Sequence, residues 1–429
     1  GGLAGCLSGN EGPRREPTAT PAASETQTAT ASPTLTSTPG PEIEGEVDLT
    51  WSEKPPTPEG RPDENNPWAD RYFNSDLYER KPETRAEIDQ YKQAILDERY
   101  AAGPDADEPT ATATSLEELA EYAGQSDVYV DMEPGTYEIG LDNAAKFLTG
   151  IWLPRYWHGR RDNQTRKMLT LSPFHFAGET SRYNLEGVTI EFDCRILNSE
   201  ALPSPNEAIL TLIAVSGDNQ IIRGLNVEMT TPGPYTPEGD WGTFARQWTS
   251  GLTVSGDYNL LQDLNLTTRG SFPYGYGGLL GKGAGSLVNH SKMGGGGDPG
   301  PVGGVNVDYT LDHNCFGHAM GVLWYGEWID CEFVTETRLT DEILQEESGP
   351  AYENDFVNVW RKRRGAEDPQ IQPGMMISLG EETFRTYDDW VSVKALGCRV
   401  EGARGSMGLH GAPGSDVFFS NHTAERITT

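Results

Sequence analysis

The sequence lacks any apolar run of the length that a membrane-spanning helix needs, and it contains very little lysine. The 429 residues include 33 lysines and arginines, only nine of them lysine, against 65 aspartates and glutamates. The resulting net charge of −32 disfavours nonspecific binding to nucleic acid or to an anionic membrane. This acidic excess is typical of salt-adapted, halophile-like surfaces, with an ordinary acidic secreted protein as the alternative.

The first 45 residues include few large apolar side chains and therefore cannot form a hydrophobic core. The stretch "LAGC", which ends at Cys6, has the form of a lipoprotein signal box, and it predicts that Cys6 carries the lipid. Residues 16–45 are rich in threonine, proline, serine and alanine, which predicts a disordered stalk. The sequence thus predicts an extracellular, cell-surface lipoprotein that is held to the membrane through the anchor on Cys6.

The composition and hydrophobic pattern of the remaining chain predict a polar extension over 46–124 and a β-rich domain over 125–429. In the extension, proline at the start and glycine at the end predict a helix over 82–103. A capping box followed by a glycine predicts a second helix over 114–124, which we expect to cap the β-rich domain.

The β-rich domain contains internal repeats. "GDNQIIRGLNVEM" (217–229) matches "GDYNLLQDLNLTT" (256–268) nearly position for position, and "LIAVSG" (212–217) matches "GLTVSG" (251–256). Short strands at a loose period, with insertions at a recurring place, are typical of a solenoid.

Cysteine is scarce, with five residues in the chain, and the repeats indicate the role of four of them. In the repeat alignment, cysteine and leucine alternate at one inward position, namely Cys194, Leu225, Leu264, Cys315, Cys331 and Cys398. Because a buried free thiol behaves as a small hydrophobic group, we expect these cysteines to be reduced core residues. A disulfide pair or a metal site is the alternative.

The repeats, together with the stretch "VYVDMEPGTYEI" (128–139), resemble right-handed parallel β-helix proteins of the pectate-lyase-like superfamily. The resemblance covers roughly residues 125–429. It implies an all-β fold, a right-handed parallel β-helix solenoid with an N-terminal capping helix and long loops.

In that architecture a substrate groove runs along one sheet between long loops, here expected at 228–250, 267–303 and 335–375. Aromatic faces stack on sugar rings and basic groups pair with uronate or sulfate, so we expect substrate binding by Tyr274, Tyr276, His290, Lys292, Trp360 and Arg361. The expected catalytic residues are Lys282, His318, Tyr325 and His410. A structural histidine that is hydrogen-bonded to backbone is the alternative for each histidine, and calcium held by loop carboxylates stays open.

These residue types favour a lyase that cleaves an acidic polysaccharide by β-elimination. The reaction needs a base for the proton beside the uronate carboxyl and a cation to stabilise the developing negative charge. A glycoside hydrolase would need two carboxylates on the groove face, and no clear pair is predicted there. A non-catalytic carbohydrate-binding adhesin or structural surface protein is the alternative from another class.

Overall fold

The computed structural model describes these residues: 42–51, 53–54, 66–154, 165–193, 195–196, 199–203, 207–230, 249–269, 275–281, 286–289, 292–295, 321–323, 325–335, 375–378, 392–402, 407–410 and 416–426. All of them belong to the second of two compact units, Ser37–Thr429. The predicted domain boundaries at 45 and 124 stay predictions.

Helices precede most of the strands in the described chain. They are α1 (Pro67–Phe73), α2 (Arg85–Ala102) and α3 (Leu116–Ala123). In α2 the Thr84 side chain accepts from the Glu87 amide while the Glu87 carboxylate accepts from the Thr84 amide, so two free amides of the first turn are satisfied. The helix therefore begins inside the predicted range 82–103.

The described strands are short. The first thirteen are β1 (Ala111–Ala113), β2 (Tyr129–Met132), β3 (Gly135–Ile139), β4 (Leu148–Pro154), β5 (Thr165–Leu171), β6 (His175–Phe176), β7 (Arg182–Asn184), β8 (Val188–Asp193), β9 (Ile209–Val215), β10 (Ile221–Arg223), β11 (Asn226–Thr230), β12 (Thr249–Val254) and β13 (Leu260–Gln262). The others are β14 (Asn265–Arg269), β15 (Gly275–Gly281), β16 (Ser286–Asn289), β17 (Lys292–Gly295), β18 (Gly321–Leu323), β19 (Tyr325–Ile329), β20 (Glu332–Thr335), β21 (Met375–Ser378), β22 (Ser392–Leu396), β23 (Arg399–Gly402), β24 (Met407–His410), β25 (Asp416–Ser420) and β26 (Thr423–Arg426).

These strands form three large sheets and one small one. The nine-stranded sheet has the order β1-β2-β7-β10-β13-β16-β19-β22-β25, and the eight-stranded sheet has the order β26-β23-β20-β17-β14-β11-β8-β3. The seven-stranded sheet has the order β18-β15-β12-β9-β5-β4, with β6 paired to β9, and β21 pairs with β24 alone. Among the described strands, pairing is parallel except between β4 and β5, which form an antiparallel pair.

Residues one repeat apart are neighbours in register. Ile221 pairs with Leu260 and Asn226 pairs with Asn265, so the two sequence copies lie side by side. The Gln220 amide donates to the Asn259 side-chain oxygen across 39 residues, at 2.8 Å. Repetition in the sequence therefore places like residues beside like residues along each sheet.

The expectation of an all-β fold, a right-handed parallel β-helix solenoid, is wrong. The described chain combines several parallel sheets with helices and has α/β character. Helix α3 places Leu119 in the same core cluster as residues of all three large sheets, and α2 buries Ile88 and Ile95 against the nine-stranded sheet. The repeats in the sequence predict which strands pair. They do not predict that the apolar residues on the outer face of a sheet are covered by a helix.

Six of the described turns that lead from the nine-stranded to the eight-stranded sheet contain one residue with positive φ. The residues at this turn are Gly187 (79°), Gly224 (84°), Asp263 (55°), Asp330 (52°), Gly397 (63°) and Asn421 (54°). Glycine, asparagine and aspartate are the residues that tolerate this left-handed conformation at least cost. The turn chemistry thus explains why these three residue types recur at one place in the repeats.

A second turn brings glycines so close together that no side chain fits. A Cβ atom on Gly217 would lie 1.6 Å from the carbonyl oxygen of Gly178, and one on Gly256 would lie 2.0 Å from the carbonyl oxygen of Gly217. The shared "SG" of the repeats is therefore required by backbone contact between neighbouring copies.

We expect Gly217→Ala to lower the free energy of unfolding by about 3 kcal/mol, because the added methyl group overlaps a backbone oxygen. Gly124→Ala is the matched control, since no atom lies within 4 Å of its Cβ position. Urea unfolding at constant m-value measures both changes. Equal stability of the two variants would contradict the close backbone contact.

Candidate functional site

Most residues predicted for catalysis and substrate binding lie outside the described residues. They are Tyr274, Lys282, His290, His318, Trp360 and Arg361, and the predicted lipidation site Cys6 also lies outside the described residues. Their predicted roles therefore stay predictions.

The other four predicted residues fall in strands of four different sheets. Tyr276 in β15 pairs with Ser250, and Lys292 in β17 pairs with Asn265 and Glu332. Tyr325 begins β19 of the nine-stranded sheet, and His410 ends β24 of the two-stranded sheet. The sequence analysis placed Tyr325 and His410 on one groove face, whereas the structure divides Gly321–Gly326 between two strands of different sheets.

The cysteine alignment holds in one place and differs in another. The pairing of Glu332 with Arg399 sets Cys331 beside Cys398, and both are buried cysteines that form no disulfide. Beside Leu225, however, the register of β8 and β11 sets Val188 where the alignment had Cys194. Cys194 and Cys315 themselves lie outside the described residues.

A partly exposed cluster of two tryptophans and two lysines lies at the β4–β5 pair. We call Trp51, Lys54, Trp152 and Lys167 the tryptophan–lysine surface. The ammonium of Lys167 lies 4.9 Å from the ring centroid of Trp51 and 5.7 Å from that of Trp152, and the ammonium of Lys54 lies 5.3 Å from Trp152. Since a cation is attracted to the face of an indole within about 6 Å, the rings hold the lysines in place.

Strand pairing and one glycine position this surface. Trp152 and Lys167 are directly opposite each other in the antiparallel pair, so their side chains share a face. On the same face, a Cβ atom on Gly150 would lie 2.7 Å from the Trp51 ring. Glycine at this position lets the indole of Trp51 lie flat on β4, next to Lys167.

The sequence analysis missed this surface, although a local charge signal marks it. Residues 151–167, "IWLPRYWHGRRDNQTRK", carry five basic residues and a single aspartate in a chain of net charge −32. Three of the chain's aromatic residues also fall in this stretch. The local reversal of charge, combined with aromatic residues, was the available signal.

The outer face of the nine-stranded sheet is covered by α2 through a buried polar network. Glu327 in β19 and Lys394 in β22 are cross-strand partners, and the Lys394 ammonium lies 3.0 Å from Glu327 Oε1. The Tyr91 hydroxyl donates to the same Glu327 oxygen at 2.6 Å. Lys394 also donates to the Tyr91 hydroxyl oxygen and to the Tyr78 carbonyl oxygen, each at 2.7 Å.

The charges and hydrogen bonds of this network hold α2 on the sheet. Burial, followed by the neighbouring Glu327 carboxylate, raises the pKa of Tyr91, so the phenol keeps the proton that it donates. At one end of the helix, Arg85 and Lys92 pair with Asp330 at the positive-φ turn. These contacts close the part of the sheet face on which α2 packs.

His175 is held neutral beside the stacked glycines. Its Nε2 lies 2.9 Å from the Ser216 hydroxyl oxygen. Burial lowers the pKa of His175 to about 4, because a charged imidazole would lose its hydration. This histidine is a structural residue of the turn that precedes Gly217.

Among the described residues, no group of three histidine, cysteine, aspartate or glutamate side chains is arranged to hold a metal ion. No helix in the same part of the chain combines the length and apolar character that crossing a membrane requires. In comparisons with known proteins, no family matches the sequence, and no curated protein matches it.

We expect Lys394→Met to destabilise the protein by about 3–5 kcal/mol, because it leaves the Glu327 carboxylate buried without its cation. The double variant Glu327→Gln with Lys394→Met should lose less than the sum of the single variants. The exposed Lys81→Met serves as control, and urea unfolding measures all four proteins. Additive losses would contradict the coupling.

We expect the free energy of unfolding to fall as the pH drops from about 6.5 to about 4, because the pKa of His175 is lower in the folded than in the unfolded chain. In this window the unfolded chain binds a proton that the folded chain excludes, so the contribution is present above pH 6.5 and lost on acidification. The cost is about 1.4 kcal/mol per pH unit. His175→Gln should flatten the curve relative to the parent, and identical slopes in pH-dependent urea unfolding would contradict the assignment.

Proposed function

We propose that this protein binds an acidic polysaccharide and that the tryptophan–lysine surface is a binding site for it. The observation that carries the proposal is the geometry of Lys167, whose ammonium is flanked by two part-exposed indole rings. Uronic acid polymers combine an apolar ring face with a carboxylate at regular spacing. The surface offers matching groups, apolar ring area and an ammonium, within one contact area.

Charge complementarity supports the choice of an anionic ligand. A protein of net charge −32 repels polyanions over most of its surface. Binding therefore has to concentrate at local positive charge, and residues 151–167 with nearby Lys54 provide it in the sequence. High salt shortens the range of the general repulsion while close ion pairs persist, which suits a salt-adapted surface.

For the reaction we propose β-elimination. In this proposal His318 or Tyr325 removes the proton beside the uronate carboxyl, and Lys282 or Lys292 neutralises the charge that develops. His410 remains a further candidate catalytic residue. The binding residues of the loops, Tyr274, Tyr276, His290, Trp360 and Arg361, would extend the contact along the polymer. Their support is the sequence alone.

We also propose that the protein is an extracellular lipoprotein anchored through Cys6. The support is the "LAGC" box and the threonine- and proline-rich stretch after it. A surface-held protein on a long polar stalk is well placed to meet an insoluble or high-molecular-weight glycan.

We expect Trp152→Ala and Lys167→Met each to weaken binding of a uronate polymer by about tenfold or more. Each removes either ring contact or a charge-assisted interaction worth roughly 1.5–3 kcal/mol. Titration calorimetry against polygalacturonate, alginate and hyaluronan measures the loss, with dextran as the neutral polymer. Lys81→Met is the matched control, because its ammonium also lies over an aromatic ring, 5.9 Å from the Phe418 centroid.

Unchanged affinity in both variants, or equal binding of dextran, would contradict the proposed site. The same incubations test the reaction through the ultraviolet absorbance of unsaturated uronate products. Absorbance that is lost in His318→Ala with an unchanged melting temperature supports the lyase. New reducing ends without absorbance would indicate a glycoside hydrolase, and binding without any product would indicate a carbohydrate-binding adhesin.

A further inference from the structure

Two cysteines and a histidine stand side by side where the chain enters the last described strands of the eight-stranded sheet. The pairs Glu332–Arg399 and Arg399–Thr423 place Cys331, Cys398 and His422 at equivalent positions, each directly before one of the neighbouring strands β20, β23 and β26. The Arg399 amide donates to the Cys331 carbonyl oxygen at 2.8 Å, and the Thr423 amide donates to the Cys398 carbonyl oxygen at 3.1 Å. The backbone therefore fixes the order of the three side chains.

Both thiols are buried, and no disulfide joins them. Cys331 is 1% exposed and donates to the Ile329 carbonyl oxygen at 3.4 Å, and the fully buried Cys398 lies within hydrogen-bond distance of the Trp328 and Leu396 carbonyl oxygens. In-register neighbours in a parallel sheet lie about 4.8 Å apart, which is inside the range of about 4.4–6.8 Å that a disulfide spans between Cα atoms. The backbone spacing at Cys331 and Cys398 therefore meets the Cα requirement for a disulfide.

The contacts of the His422 ring favour its charged form. Its Nδ1 lies 3.2 Å from the Cys398 carbonyl oxygen, and its Nε2 lies 2.9 Å from the Ala395 carbonyl oxygen. Because a carbonyl oxygen only accepts, both ring nitrogens can bond only when both carry a proton. Burial by itself lowers the pKa of His422. Hydrogen bonds and the charge of Cys398 raise this pKa by more than burial lowers it, so the net shift is upward.

An imidazolium beside a thiol favours the thiolate. Burial raises the pKa of Cys398, while hydrogen bonds from Cys331 and His422 lower it more, to about 6. A thiol that only fills space in the core would keep its proton, because an apolar surrounding disfavours the charged form. The arrangement of these three residues is that of an activated nucleophile next to a second thiol.

We propose that Cys331 and Cys398 are a redox-active dithiol that hydrogen peroxide converts to a disulfide, with His422 as the proton donor. The oxidant is a small neutral molecule, as access to a buried sulfur requires. The pair would be a modification site separate from the proposed glycan surface, and it does not depend on that function.

The reaction balances in two steps. The Cys398 thiolate attacks one peroxide oxygen, the O–O bond breaks, and the leaving hydroxide takes a proton from the His422 imidazolium, which gives a sulfenic acid and water. The Cys331 thiol then attacks the Cys398 sulfur, the S–O bond breaks, and hydroxide leaves with the thiol proton as a second water. Two thiols and one peroxide yield one disulfide and two waters.

Peroxide treatment of the folded, reduced full-length chain tests the proposal, with differential alkylation and peptide mapping as the readout. We expect a Cys331–Cys398 linked peptide at about one peroxide per chain. In Cys331→Ser, a sulfenic acid should accumulate at Cys398 and react with dimedone. In Cys398→Ser, Cys331 should stay unmodified.

The role of His422 has its own test. His422→Gln should slow disulfide formation at neutral pH by about tenfold or more and move the midpoint of the rate–pH profile above its parent value near 6. His175→Gln is the control, because that histidine contacts Ser216 instead. An unchanged rate and midpoint in folded His422→Gln would overturn the role of the histidine.

Experiments on the parent protein alone can refute the proposal of a redox-active dithiol. Both cysteines remaining reduced under excess peroxide would refute it. A reaction rate that follows the unfolded fraction as urea is added would also refute it, because the thiols would then react only after unfolding. A rate that is constant below the unfolding transition supports reaction in the folded state.

Discussion

In-register hydrogen bonding between strands one repeat apart is the interaction on which the described structure depends. It places Ile221 beside Leu260 and Asn226 beside Asn265, and the inward side chains of three sheets then meet in one core. The backbones approach so closely at Gly178 and Gly217 that any Cβ would collide with a carbonyl oxygen. The neighbouring positions of Cys331 and Cys398 follow from this pairing, whereas the tryptophan–lysine surface lies on the antiparallel β4–β5 pair.

The packing of α2 on the nine-stranded sheet also follows from the parallel pairing of the strands. Parallel strands present apolar residues such as Ile329 and Leu396 outward as well as inward, and these must be buried. The helix covers them, and the cross-strand pair of Glu327 and Lys394 fixes its position through Tyr91. The part of the sheet face that α2 covers is therefore closed to a ligand, whereas the tryptophan–lysine surface lies at the antiparallel β4–β5 pair.

Two chemistries with different requirements coexist in the described chain. The tryptophan–lysine surface uses partly exposed rings and ammonium groups, which suit a large anionic ligand that stays outside. The dithiol uses buried sulfurs next to an imidazolium, which suit a small neutral reactant. The first follows from a local reversal of charge, and the second from residues far apart in sequence that pairing brings together.

The sequence by itself determined the repeat and two of the three described helices, α2 and α3, because these follow from spacing and capping. It did not predict α1. It also marked Cys331 and Cys398 as equivalent core positions. The α/β character, the covering of one sheet face by α2 and the contact of Cys398 with His422 were decided only by the tertiary structure. The physical reason is that local patterns specify which strands pair, whereas the surface that those strands expose, and the residues that come to cover it or lie beside it, depend on the assembled sheets.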